Sequence, residues 1–202
     1  MNAWWTGPEM EFGLSDSAPK VLLCDGERFE RVTPHLDVLR ADRSLHVVAT
    51  RADGTDLGHD AVHWAGALAG AVDLPAPPPV AIDTDDDACV FYTSGTTGRP
   101  KGATLTHGCL LDNATALADI WQFTSDDILV HSLPIFHVHG LFIALHPTML
   151  RGAQTRFLPR FDPDSVIDAL DGATVFMGVP TYYHRLLNND LFGPDSCASM
   201  RL

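Results

Sequence analysis

The chain has 202 residues, 46% of them hydrophobic and 19% charged, with a formal net charge of −13; that length supports a core burying roughly two-thirds of the unfolded surface and argues against a disordered tail. Acidity with no Lys/Arg cluster set against it argues against a nucleic-acid backbone as partner, and no apolar run approaches the roughly 18 residues of a membrane span. Met1-Asn2-Ala3-Trp4-Trp5 has neither the cationic nor the apolar part of a secretory leader, and Cys24, Cys89, Cys109 and Cys197 are scattered without a CxxC pair, so neither a zinc knuckle nor a disulfide framework is indicated and a cytoplasmic compartment fits best.

Apolar runs alternate with helix-like segments along the chain: 21–23, 29–39, 45–49, 63–72 and 88–92 come first. A helix is expected over 107–121, a strand over 127–132, a helix near 140–150 and a strand over 155–158. The last set is a helix over 162–170, a strand over 174–178 and a helix over 180–187. Strict alternation predicts an α/β fold, a parallel sheet flanked by helices. Asp162 followed by Pro163 reads as an N-cap with proline at the first helical position, backed by Val166, Ile167 and Leu170. Leu110, Ala114, Leu117 and Trp121 recur at helical spacing and read as core. Pro75-Ala76-Pro77-Pro78-Pro79 is a stiff connector and 83–87 an acidic turn, together predicting a join between a leading portion, 1–82, and a second portion, 83–202.

Between those strands stands Phe91-Tyr92-Thr93-Ser94-Gly95-Thr96-Thr97-Gly98-Arg99-Pro100-Lys101-Gly102. Its helix and strand propensities are poor, so it is expected to be a loop. It offers closely approachable backbone N–H groups, hydroxyl donors and one cation, a set suited to polyphosphate. Pro100 before Lys101 and Gly102 after it exclude the GxxxxGK[ST] phosphate loop. A plain surface connection would explain an arbitrary Gly/Ser/Thr run, but not ten ordered positions ending in Pro-Lys-Gly.

The segment from Thr93 to Gly102 resembles the phosphate-binding signature of the adenylate-forming superfamily, which includes acyl-CoA synthetases, luciferases and peptide adenylation domains. Leu133-Pro134-Ile135-Phe136-His137-Val138-His139-Gly140 is similar to that family's LPxFH segment. The stretches Phe161-Asp162-Pro163-Asp164, 173–187 and Met200-Arg201-Leu202 look most like malonyl-CoA synthetases, whereas the opening 2–17 looks like medium- and long-chain acyl-CoA ligases. The resemblance implies part of the family's large N-terminal domain and ATP-dependent activation of a carboxylic acid to an acyl-AMP, followed by transfer to coenzyme A. Malonate or methylmalonate is the favoured acid and a medium-chain fatty acid the second. A carrier protein's phosphopantetheine arm is an alternative acceptor, and a non-catalytic nucleotide-binding remnant an alternative role.

For phosphate contact the resemblance implies Thr93, Ser94, Gly95, Thr96, Thr97, Gly98 and Lys101. Thr96 and Lys101 would act on the reacting phosphates, Lys101 as a clamp and not a base, with Mg2+ sharing the charge. Phe136, His137, Met177, Gly178 and Arg185 are the expected acyl-pocket residues. Arg185 would pair the second carboxylate of a dicarboxylic acid, which would be costly to bury alone. His131, His137, His139 and His146 match no metal-ligand spacing, so no protein-bound metal is expected. The family's adenine, ribose, hinge and C-terminal-domain motifs have no counterpart here, so the chain is expected to hold well under half the family pattern and to be nearly inactive alone. Apolar sheet edges would then favour association with a complementary fragment or with a second copy.

Overall fold

The computed structural model describes residues 1–69, 74–93 and 100–202. They form two compact units, one over Met1–Asp83 and Cys89–Thr104, the other over Thr84–Ala88 and Leu105–Leu202.

In the first unit α1 (Gly7–Ser17) starts at Thr6, whose backbone N–H and hydroxyl both donate to the Glu9 carboxylate at 2.8 Å. It ends at Ala18, left-handed at φ 45°. Next come β1 (Val21–Asp25) and α2 (Gly26–Val32), capped by the Asp25 carboxylate accepting from the Arg28 N–H. The apolar run 29–39 reads as one segment in sequence, but Pro34 cannot donate inside a helix. The chain instead tightens into a 3-10 turn, Thr33–His35, before α3 (Leu36–Arg40). Then follow β2 (His46–Thr50), β3 (Val62–His63) and α4 (Trp64–Ala67), a short piece of the helix-like run 63–72, whose residues 70–72 lie outside the described ones.

Strands β1, β2 and β3 pair in parallel, with Leu22 opposite Val47 and Cys24 opposite Ala49. Alternation turns these four residues into a core with Met10, Leu14, Phe29, Val32, Leu36 and Leu39. Val21 and Leu23 point the other way and are 56% and 55% exposed.

In the second unit α5 (His107–Ile120) starts where the Thr106 hydroxyl accepts from the Cys109 N–H. β6 (Ile128–His131), a π-helix (His139–Leu145), α6 (His146–Leu150), β7 (Gln154–Phe157), α7 (Pro163–Leu170), β8 (Val175–Phe176) and α8 (Pro180–Leu187) follow. The Asp162 carboxylate accepts from the Ser165 N–H at 3.1 Å, so the predicted cap and proline start are both present. The sheet order is β7-β6-β8, all parallel. Leu129 and Val175 meet Ala118, Phe123 and Ala144 on one face, and Val130 and Phe176 meet Val166, Leu170 and Leu186 on the other. A strand covered on both faces has no polar alternation, which is why Ile128-Leu129-Val130 is continuously apolar. This is the predicted α/β architecture of parallel sheet and flanking helices.

Arg201 and Leu202 run beside β8: the Leu202 N–H donates to the Thr174 carbonyl and its carbonyl accepts from the Phe176 N–H. Arg201 meets Asp127, whose side chain is 3% exposed, through Nε at 2.7 Å and Nη2 at 2.5 Å. The Arg201 fork, helped by the Thr124 N–H and the Thr174 hydroxyl, holds the Asp127 carboxyl well below the usual carboxylate range against the opposing effect of burial.

Candidate functional site

The predicted phosphate loop hangs from β4 (Asp87–Thr93) and β5 (Lys101–Thr106), which pair as a two-stranded sheet. Tyr92, one residue before the loop, is tied to α1. Its hydroxyl donates to Asp16 at 2.6 Å and lies 3.3 Å from the Gly13 carbonyl, and its ring meets Trp5 edge-on at 5.5 Å. Burial, then the Asp16 carboxylate, pushes the Tyr92 hydroxyl pKa up, so it stays a donor. Across the ribbon a Cβ at Gly102 would lie 2.8 Å from Val90 Cγ1, so glycine lets the strands close. At the neck the Thr93 hydroxyl is 3.5 Å from the Lys101 carbonyl, and Lys101 itself is exposed. Ser94, Gly95, Thr96, Thr97 and Gly98 lie outside the described residues.

The predicted acyl residues all belong to the second unit: Phe136 and His137 follow the carboxyl end of β6 and Met177 and Gly178 that of its neighbour β8, the ends at which open α/β sheets bind ligands, while Arg185 lies further on, within α8. Beyond β6 the chain turns, with the His137 N–H donating to the Pro134 carbonyl at 3.2 Å. Phe136 is half-buried and His137 exposed, their rings 4.6 Å apart. Beyond β8, Met177 is 9% exposed within the apolar cluster, and the Gly178 N–H donates to the Tyr183 hydroxyl at 3.0 Å. Arg185, exposed on α8, holds its guanidinium carbon 5.0 Å above the ring of Phe161, which enters from the loop after β7. Phe161 is also stacked on Tyr182, 3.8 Å apart at 12°. Phe161 and Tyr182 lie within segments marked out above only by resemblance, and their stacking, which joins positions 21 apart in the chain, has no local signal.

A π-helix directly follows this turn: the His146 N–H reaches back five residues to the Leu141 carbonyl. Such helices are rare and cluster at functional sites. Gly140 sits against the turn so closely that a Cβ would lie 2.3 Å from the Pro134 carbonyl oxygen. His139 therefore opens a helix and is half-buried, while His137 stays outside it. His131 is 1% exposed at the end of β6, and its Nε2 finds no hydrogen-bond partner among the described residues, nor does the Ser132 hydroxyl. Burial lowers the His131 pKa, a hydrogen bond to the Leu133 backbone opposes that, and His139 adds to the lowering. Among the described residues no three His, Cys, Asp or Glu gather as a metal-binding group. No helix among them is long and apolar enough to cross a membrane.

The sequence pattern of the AMP-binding enzyme family matches residues 1–202. Mitochondrial malonate–CoA ligase of Mus musculus is 34% identical over 195 residues, covering 92% of this chain and 30% of that protein. Feruloyl-CoA synthase of an Amycolatopsis species is 32% identical over 196 residues, covering 96% of this chain and 35% of its own length. Among solved structures, ATP-bound MatB from Rhodopseudomonas palustris superposes with a TM-score of 0.82 at 37% identity, over 100% of this chain and 38% of that one. The chain thus spans about a third of the length of these relatives.

Proposed function

This chain belongs to the AMP-binding enzyme family, and from that premise we propose that it is the phosphate-loop and acyl-pocket part of an ATP-dependent acid–CoA ligase acting on malonate or methylmalonate. The observation that carries the reading is the ribbon neck, where Thr93 and Lys101 close the glycine-hydroxyl loop and leave Lys101 exposed. Thr93, Ser94, Gly95, Thr96, Thr97 and Gly98 would supply hydroxyl and backbone N–H donors to the β- and γ-phosphates. Lys101 adds a point charge where negative charge gathers as the bond to the α-phosphate breaks, and Thr96 donates to the same oxygens. Mg2+ carried on the triphosphate neutralises part of that charge. Tyr92, locked to Asp16, fixes the strand from which the loop departs.

Phe136, His137, Met177 and Gly178 would line the acyl group, with Gly178 allowing close approach. Arg185 would pair the distal carboxylate of a dicarboxylic acid; among the described residues no carboxylate lies within ion-pair distance of it, so its donors are available. The relative named as a malonate–CoA ligase supports the malonate choice, and the acyl-AMP would pass to the thiol of coenzyme A. On its own the chain would release little pyrophosphate, because a phosphate loop orients a triphosphate only when the rest of the nucleotide pocket offsets the entropy of binding.

The test is pyrophosphate release with ATP, Mg2+, malonate and coenzyme A by a chimera in which this chain replaces the matching part of a malonate–CoA ligase. Lys101→Ala is expected to lower kcat at least tenfold, with stability unchanged. Equal turnover by Lys101→Ala and the parent protein would end the reading.

A further inference from the structure

We propose that Phe161 is a positioning residue that holds the Arg185 guanidinium in place for a dicarboxylate, an inference that rests on the reading of Arg185 given above. Arg185 is exposed and sits on α8, where a long flexible side chain would otherwise sample many rotamers. Phe161 removes that freedom: the guanidinium carbon stands 5.0 Å from the ring centroid, within the range of a cation–π contact. A cation over a ring face spends none of its N–H donors, so all five remain for a carboxylate. A salt bridge to a protein carboxylate would fix the side chain equally well, but would consume the same donors the substrate needs.

Phe161 is itself fixed from two sides. Its other contact is the Tyr182 ring, parallel at 12° and 3.8 Å away, and Tyr182 packs into the apolar clusters on both faces of the sheet with its hydroxyl 3.5 Å from the Ser132 carbonyl. Tyr182 and Arg185 are three positions apart on α8, so one ring can meet both. On the chain side Phe161 precedes Asp162, whose carboxylate accepts from the Ser165 N–H at 3.1 Å and the Ser165 hydroxyl at 2.8 Å. Asp162 feels the charge of Arg185, yet its cap bonds keep it on α7 and it makes no ion pair with the arginine. The Phe161 ring therefore touches both Tyr182, which anchors it, and Arg185, whose cation it steadies. Ordering that cation before the acid arrives lowers the entropy lost on binding.

The experiment titrates the full chain at low ionic strength with malonate and, separately, with butyrate, following the backbone amide 15N signals of α8, which every variant retains. Arg185→Ala is expected to weaken malonate binding at least tenfold and leave butyrate unchanged. Phe161→Leu should weaken malonate about threefold, the scale of one exposed cation–π contact, again without effect on butyrate. In the Arg185→Ala background it should change nothing. Replacing Phe161 by 3,5-difluorophenylalanine keeps the shape, and so the fold, while draining the ring face of charge; it should weaken malonate in the same direction, whereas Phe161→Tyr should bind as the parent does. If Arg185→Ala acts on malonate alone while Phe161→Leu and the fluorinated ring leave malonate untouched, the Phe161 proposal is overturned and the reading of Arg185 stands. Equal weakening of both acids by Arg185→Ala, or no saturable malonate binding by the parent chain, removes the reading of Arg185 and this proposal with it.

Discussion

Replacing Arg201 with alanine removes the partner of a carboxylate that has almost no access to water. Asp127 is 3% exposed, and Arg201 meets both of its oxygens while also donating to the Trp121 and Gln122 carbonyls at 2.8 and 3.2 Å and covering the Phe123 ring at 5.6 Å. Breaking a buried pair from one side costs about 3–5 kcal/mol when the remaining charge has no other support. Here the loss is smaller, because the Arg201 side chain is 36% exposed and Asp127 keeps the Thr124 N–H at 2.8 Å and the Thr174 hydroxyl at 2.7 Å. An expected cost of about 2–3 kcal/mol follows, which at a denaturant slope of about 2 kcal/mol/M moves the urea midpoint of the second unit by about 1 M. Asp127→Asn and the double variant complete a cycle whose coupling should be about 2 kcal/mol. The sign with pH is fixed too: the folded Asp127 pKa lies below its ordinary value of 3.8, so this stabilisation is present above that value and is lost as pH falls toward the folded one. A midpoint shift under 0.2 M for Arg201→Ala at pH 7, or additive single variants, would refute the assignment of this pair as the clasp between Arg201 and the start of β6.

His131 and His146 both have pKa values lowered first by burial from the ordinary 6.5, so above 6.5 both folded and unfolded forms are neutral there, and below it only the unfolded chain takes up the protons. Stability should fall between pH 7 and 5, and His131→Phe should flatten part of that slope in urea titrations; an unchanged slope would count against the buried neutral ring. Gly140→Ala forces its Cβ onto the Pro134 carbonyl, with an expected loss of about 2–3 kcal/mol and a displaced His137 ring signal by NMR, while a parent-like spectrum would contradict the close approach. Leu23→Lys places a charge on the exposed face of β1. It should reduce any concentration-dependent sedimentation with little change in thermal midpoint; identical sedimentation would locate the association elsewhere.

Local chemistry made much of the architecture readable. Asp162 and Pro163 announce α7 because a cap acts within three residues, and Ile128-Leu129-Val130 announces a doubly covered strand because burial on both faces leaves no alternation. The run 29–39 was legible as helical but not its division, which Pro34 imposes through one missing donor. What stayed hidden is non-local. Asp127 and Arg201 are 74 positions apart, and nothing at either end names the other. Phe161 shows its meaning only once β7 and α8 set it between Tyr182 and Arg185. The π-helix has no sequence period distinct enough from 3.6 to be seen over seven residues. The segment 93–102 was legible as a candidate phosphate-loop motif and Lys101 stands exposed at its end, whereas Phe136, His137, Met177 and Gly178 acquire a shared address from the strand order β7-β6-β8.

Because the wide turn after His137 accommodates more residues per revolution than an α-helix, it can lose one without breaking the cylinder. A single deletion within 139–145 would let the backbone relax to the commoner winding, in which each residue turns through about 100°, a wider arc than in the π-helix, so the six that remain make up most of the lost residue's rotation. Length variation of one residue at this spot is therefore a tolerance: evolution or an engineer can shorten the segment there and leave the Phe136-His137 pair aimed nearly as before.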